Sequence, residues 1–194
     1  MEYRLLRMMK TPDYRTIDYL QRGTPTQRRA YAALTELGIM AALGAYDARL
    51  AGTIPLDVDI PGSDLDILCQ VDEARMDAFS ELLRRKYGRR PGFVLTRKQR
   101  YGHPIVLCDF TCCGFPIQVY GSPAPVDTQR AWVHLLAEAR LLAGAGPETR
   151  EAVRALKLAG MKTEPAFAQV FGLSGDAYEA LYELGAASGQ GAHR

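Results

Sequence analysis

Residues 61–70 read "PGSDLDILCQ", and their alternation decides the fold. Strands avoid Asp, yet Asp64 and Asp66 open a stretch with a period of two. Leu65, Ile67, Cys69 and Val71 fall on one side of it, and Asp64, Asp66, Leu68 and Gln70 on the other. Two like charges about 6–7 Å apart on one strand face repel each other, so something must compensate them. The alternative is local: Asp64 simply closes the turn begun by Gly62 and Ser63.

Three neighbouring features favour a site. Gly52 and Thr53 end a strand candidate at about residues 46–54 and offer backbone N–H groups and a hydroxyl to an anion. A helix follows the acidic strand, opening at Asp72 or Glu73 and running to about Tyr87, with Met76, Phe79, Leu82 and Leu83 as its apolar stripe. A third carboxylate, Asp109, lies in "PIVLCDFTCCGFPIQVYG", residues 104–121, which reads as a hairpin turning at Cys113 and Gly114. That register pairs Asp109 with Gln118 on the face of Leu107 and Tyr120, and sends Val106, Cys108, Phe110, Ile117 and Val119 to the core. Three carboxylates converging on one sheet face can hold one or two Mg²⁺ ions, which prefer oxygen ligands. The metal would supply the missing positive charge, and two ions can clamp a triphosphate and activate an attacking hydroxyl.

The rest of the chain frames this site. Its 194 residues, 47% hydrophobic and 24% charged, suit one globular unit with a helical appendage. No apolar run approaches the roughly 20 residues of a membrane span, and "MEYRLLRMMKTPDYR" lacks the apolar segment of a signal peptide. The expectation is a soluble cytoplasmic protein with Cys69, Cys108, Cys112 and Cys113 as reduced thiols. Tyr14, Ile17 and Leu20 suggest a short helix ended by Gly23, and Thr26 a cap for a second one ended by Gly38. Phe93 to Thr96 reads as a short strand. After Pro125 the texture becomes helical: Asp127 to about Leu142, Pro147 to about Leu158, Glu164 to Phe171 and Ser174 to about Leu184, with Asp127 and Ser174 as N-caps. The division expected is an α/β unit with N-terminal helices over residues 1–124, a helical region packed on it over 125–187, and a flexible tail over 188–194.

Charge is unevenly laid out. Residues 84–100, "RRKYGRRPGFVLTRKQR", hold eight basic residues and no acid, with Tyr87, Phe93 and Tyr101 interleaved. They are either a solvated surface or a track for phosphate or nucleic acid.

"AGTIPLDVDIPGSDLDILCQV", residues 51–71, resembles the signature of the DNA polymerase β-like nucleotidyltransferases, a Gly-Ser or Gly-Gly turn followed by an acid-x-acid strand. With "GFPIQVYGSP" and "LAGMKTEPAFAQVFGLSGDAYEAL" it resembles a bacterial family, domain of unknown function 4269, placed near those enzymes, and the likeness runs over roughly residues 18–184. The resemblance implies an α/β fold of the α+β type, a mixed sheet flanked by helices and followed by a C-terminal helical bundle. It implies Mg²⁺- or Mn²⁺-dependent transfer of a nucleotidyl group from an NTP to a hydroxyl, on RNA or a small molecule. A catalytically degenerate module binding nucleotide, RNA or a protein partner is the alternative. Asp64 and Asp66 match the metal-binding pair, Asp109 is the candidate third ligand or base, and Gly52 and Thr53 match the phosphate turn, with Ser63 and Lys162 as further contacts. Relatives carry an acid where this chain has Gln118. Ile54, Pro55 and Leu56 replace the arginines that often follow the turn, which leaves Arg97, Lys98, Arg100 or Lys162 to compensate charge.

Other residues read as structural. Asp57 and Asp59, flanked by Pro55 and Pro61, suggest a solvated loop. His103 with Cys108, Cys112 and Cys113 lacks the paired spacing of a zinc site. His134 beside Trp132 suggests packing, Glu138 and Arg140 a surface or interhelix role, and Lys157 a complement to its helix's C-terminal dipole.

Overall fold

The computed structural model describes residues 11–100 and 102–189. The opening helix is a 3₁₀ turn at Asp18–Arg22. Helix α1 (Pro25–Leu37) starts two residues earlier than a cap at Thr26 requires, because Thr24 and Gln27 form a reciprocal capping box and Pro25 sits in the first turn. Gly38 closes α1 with φ 61° and leads into the short α2 (Ile39–Ala42). The first strand, β1, is only Arg49–Ala51. Strand β2 is Leu65–Gln70, and a 3₁₀ turn at Glu73–Arg75 precedes α3 (Met76–Tyr87). Strand β3 (Val94–Arg100) is longer than its apolar start suggests, since antiparallel pairing with β4 carries it to Arg100.

Strands β4 (His103–Cys112) and β5 (Phe115–Ser122) form the hairpin, with φ 52° at Cys113 and 79° at Gly114, the positive values that the tight hairpin turn needs. Asp109 pairs with Gln118 and Leu107 with Tyr120, in the expected register. The sheet order is β1-β2-β5-β4-β3, with only β2 and β5 parallel.

Helices α1 to α3 cover one face of the sheet. Leu65, Ile67, Cys69, Val106, Cys108, Phe110, Ile117 and Val119 meet Leu34, Phe79 and Leu83 there. Gly121 is required at this contact, since a Cβ on it would stand 2.7 Å from Phe79 Cε1. The other face carries Ala51 and Leu68 against α4 (Arg130–Ala143), α5 (Pro147–Leu158), α6 (Thr163–Phe171) and α7 (Ala177–Gly189), through Trp132, Leu135, Val153, Phe167 and Leu181. The result is a mixed α/β sheet flanked by helices.

Asp127 does not cap α4. It lies in a 3₁₀ turn before that helix and pairs with buried Arg49 at 2.6 Å, and the Arg49 guanidinium stacks on Trp132 at 4.8 Å. Arg49 thereby fastens β1 to α4. Ser174 is likewise replaced as a cap by Asp176, whose carboxylate accepts from the backbone N–H groups of Tyr178 and Glu179. Helix α7 continues through Gly189, past the start expected for the tail at residue 188, and residues 190–194 lie outside the described ones. Among the described residues no helix is long and apolar enough to cross a membrane.

Candidate nucleotide site

Beyond β1 the chain makes a tight turn at Gly52 that touches the acid pair. Gly52 has φ 85°, and a Cβ on it would stand 2.5 Å from Asp66 Oδ2. Ala51 pairs with Asp66 across β1 and β2, so the turn lies directly against that carboxylate. Thr53 donates its hydroxyl toward Ser63 Oγ at 3.4 Å, and Ser63 Oγ accepts from the Ile60 N–H at 3.0 Å. The hydroxyl of Ser63 therefore also braces the loop that aims Asp64.

Asp66 pairs with Gln118 on β5, and Gln118 with Asp109 on β4, placing three polar side chains in a row across one face. Gln118 Nε2 donates to Asp109 Oδ1 at 2.8 Å. Burial pushes the Asp66 carboxyl up to about 7, and the charges of Asp64, Asp109 and Glu164 add to it. Among the described residues, the groups that bring three possible ligand atoms within 4.8 Å of one another do not include Asp64, Asp66 and Asp109 together. The donor set is all oxygen, which suits Mg²⁺ or Mn²⁺, and Asp64 and Asp66 are the residues that would hold such an ion.

The acids open into a cleft of about 400 Å³ between the sheet and the C-terminal helices. Gly52, Thr53, Gly62, Ser63, Asp64 and Asp66 form its floor, and Ala131, His134, Leu135, Glu138, Lys157, Lys162 and Glu164 its roof. A second hollow of about 320 Å³ shares Asp66, Ala131, His134 and Glu164, and continues past Gln118 and Tyr120 to Arg100, His103 and Arg130.

Several roof residues escaped the sequence reading. His134 sits in the wall rather than serving as packing alone: one ring nitrogen meets Glu164 at 3.3 Å and the other the Tyr178 carbonyl at 3.0 Å. Burial raises the Glu164 carboxyl, but the hydrogen bonds from His134 and from its own backbone, with the charges of His134 and Lys162, together outweigh it, and the group ends below the usual range. Glu138 is buried, not on the surface. Lys157 does not merely complement its helix: it is buried and donates to the Val58 carbonyl at 2.9 Å. Burial depresses its ammonium, against the opposing charges of Glu138, Asp59 and Asp64.

Lys157 belongs to a stripe on α5. Arg150 donates to the Leu56 carbonyl at 3.3 Å, Arg154 to the Asp57 carbonyl and carboxylate, and Lys157 to Val58. Three successive loop carbonyls are thus held by residues spaced four and three apart on one helix face. Asp57, with φ 57°, is an ion-paired part of this clamp rather than a solvated loop residue. Ile54, Pro55 and Leu56 are buried, and Gln27 of α1 donates to the carbonyls of Ile54 and Pro55. The loop after the Gly52 turn is therefore anchored from both sides.

Of the four basic candidates, Lys162 lines the cleft and Arg100 the adjoining hollow. Arg97 points to the opposite face, where it pairs with Asp77 at 2.6 Å and meets Ser80. Strand alternation explains this, since Val94, opposite Asp109, shares its face with Thr96, Lys98 and Arg100. No zinc set forms from His103 and the cysteines: Cys108 is in the core and His103 lies at the far end of β4 from Cys112, while Cys112 and Cys113 group with Glu36.

This architecture is similar to solved nucleotidyltransferase structures. The Cid1 poly(U) polymerase with MgGTP bound matches with a TM-score of 0.53, at 13% identity over 79% of this chain and 53% of that one. A second Cid1 structure, described for RNA terminal uridylyl transferase activity, gives 0.52 at 14% identity, covering 74% of this chain and 46% of that one. A third, with Mg 3'-dATP bound, gives 0.50 at 16% identity, covering 79% and 46%. This chain spans about half the length of those structures, and at such identities the likeness is one of fold. No curated protein matches the chain. Residues 32–184 match the model of DUF4269, a domain of unknown function, and the chain belongs to that family.

Proposed function

We propose that the cleft binds an NTP with Mg²⁺ or Mn²⁺ and transfers its nucleotidyl group to a hydroxyl acceptor, RNA or a small molecule. The observation that carries this reading is the packing of the Gly52 turn against Asp66, whose carboxyl is pushed up by burial and by the neighbouring acids. Asp64 and Asp66 would hold the metal, which when bound offsets their charge and that of the phosphates. Gly52 and Thr53 would receive phosphate oxygens through N–H and hydroxyl donors, with Ser63 beside them and Lys162 across the cleft. In the transfer, the acceptor oxygen forms a bond to the α-phosphorus and the bond to the bridging oxygen breaks. Pyrophosphate leaves with the electron pair, and the acceptor proton passes to a base, for which Asp109 is the candidate. The Mg-bound nucleotides in the Cid1 structures support the reading at the level of fold.

A second reading, a degenerate module that binds nucleotide, RNA or a protein partner without chemistry, is favoured by one observation. The amide of Gln118 stands between Asp66 and Asp109 and holds Asp109 Oδ1 at 2.8 Å. Pyrophosphate release from each NTP with Mg²⁺, in the presence of an RNA oligomer or a mixture of small hydroxyl compounds, separates the two. Release that Asp64→Asn abolishes supports the enzyme; NTP binding with no release under any acceptor supports the module.

A further inference from the structure

Helix α4 turns Ala131, His134, Leu135 and Glu138 toward the cleft, the spacing of one helix face. His134 is held by Glu164 and the Tyr178 carbonyl. Glu138 has no such support. It is only 4% exposed, and among the described residues it has no hydrogen bond and no ion pair within 4.0 Å. The cation that faces it, Lys157, donates to the Val58 carbonyl instead. Burial of a carboxyl without a partner costs the fold stability, and the little of Glu138 that remains open to solvent faces the cleft.

We propose that Glu138 is a specificity-determining residue that accepts a hydrogen bond from the exocyclic amino group of a nucleobase seated in this cleft. The inference rests on the NTP reading above. A carboxyl repels phosphates, so its counterpart on an NTP is a hydrogen-bond donor of the sugar or the base. Met161, partly exposed, lines the same cleft and gives a flat base an apolar surface to lie against. Burial and the charge of Glu164 push the Glu138 carboxyl up, with Lys157 opposing, but protonated or not it keeps an oxygen that accepts. Adenine, cytosine and guanine each offer an amino group. Uracil offers one ring N–H between two carbonyl oxygens, which the carboxylate oxygens repel in the ionised form that Lys157 favours.

The test is thermal stabilisation and calorimetric binding of ATP, CTP, GTP and UTP with Mg²⁺, for wild type, Glu138→Gln and Glu138→Leu. Wild type is expected to bind UTP about tenfold more weakly than the amino-bearing nucleotides. Glu138→Gln, whose amide donates to a carbonyl, should narrow that gap. Glu138→Leu should abolish it while raising the melting temperature without ligand. A wild type that favours UTP, or a Glu138→Leu protein that keeps the wild-type preference, overturns the proposal. A loss equal for all four nucleotides places Glu138 at the sugar and overturns it too. If wild type binds no NTP with Mg²⁺, the NTP reading itself fails, whereas NTP binding that Glu138 substitutions leave untouched defeats this inference alone.

Discussion

Gln118 donates from its side-chain amide to Asp109 Oδ1 at 2.8 Å, while its backbone stands opposite Asp66 on the neighbouring strand. One neutral residue thus separates two acids that would otherwise face each other across β5. Substituting Gln118→Glu should place a third charge in that row, lower apo stability by about 1–3 kcal/mol and make it recover when Mg²⁺ is added. Melting curves with and without Mg²⁺ check this; an apo protein as stable as wild type with no metal response argues against a cation site in the row.

Gly52 admits no side chain. Its φ of 85° and the 2.5 Å approach of a Cβ to Asp66 Oδ2 both oppose Gly52→Ala. The expected loss is roughly 1–3 kcal/mol, with NTP binding lost as well. A protein of wild-type stability and affinity would show that the turn does not lie against the acid.

Asp66 gives stability a pH dependence of known sign. Its carboxyl titrates near 7 in the folded chain and near 3.9 when unfolded. Between those values the native state holds the extra proton, so this contribution is complete below about pH 4 and is lost as pH rises toward 7. The full swing is on the order of 4 kcal/mol. Denaturant melts from pH 4 to 8 should show the slope in wild type, flattened in Asp66→Asn and by Mg²⁺. An identical slope in the variant would assign it to other groups.

Arg154→Ala removes the centre of the α5 clamp, its ion pair with Asp57 and its bond to the Asp57 carbonyl. A loss of about 1–3 kcal/mol is expected, together with faster hydrogen exchange in residues 56–58. Unchanged exchange there would mean that Arg150, Lys157 and Gln27 hold the loop without Arg154.

The acid strand and the hairpin register were legible because both rest on a period of two and a two-residue turn, which are local. The caps at Thr24 and Asp176 were within reach of the same logic, since each is a polar residue just ahead of its helix. His134, Glu138 and Lys157 were not, because their burial depends on how α4 and α5 dock on the sheet. A partial signal existed: Arg150, Arg154 and Lys157 repeat at four and three, and His134 and Glu138 interrupt an apolar helix four residues apart. Arg97 shows the converse, a basic residue whose strand parity turned it away from the site.

The most direct measurement is calorimetric titration of an NTP into wild type, Asp64→Asn and Asp66→Asn, each with and without Mg²⁺. The account predicts binding to wild type that requires the metal, lost in both variants while their melting temperatures hold or rise as repulsion is relieved. Metal-independent binding in all three, or variants that melt far below wild type with affinity intact, would contradict it.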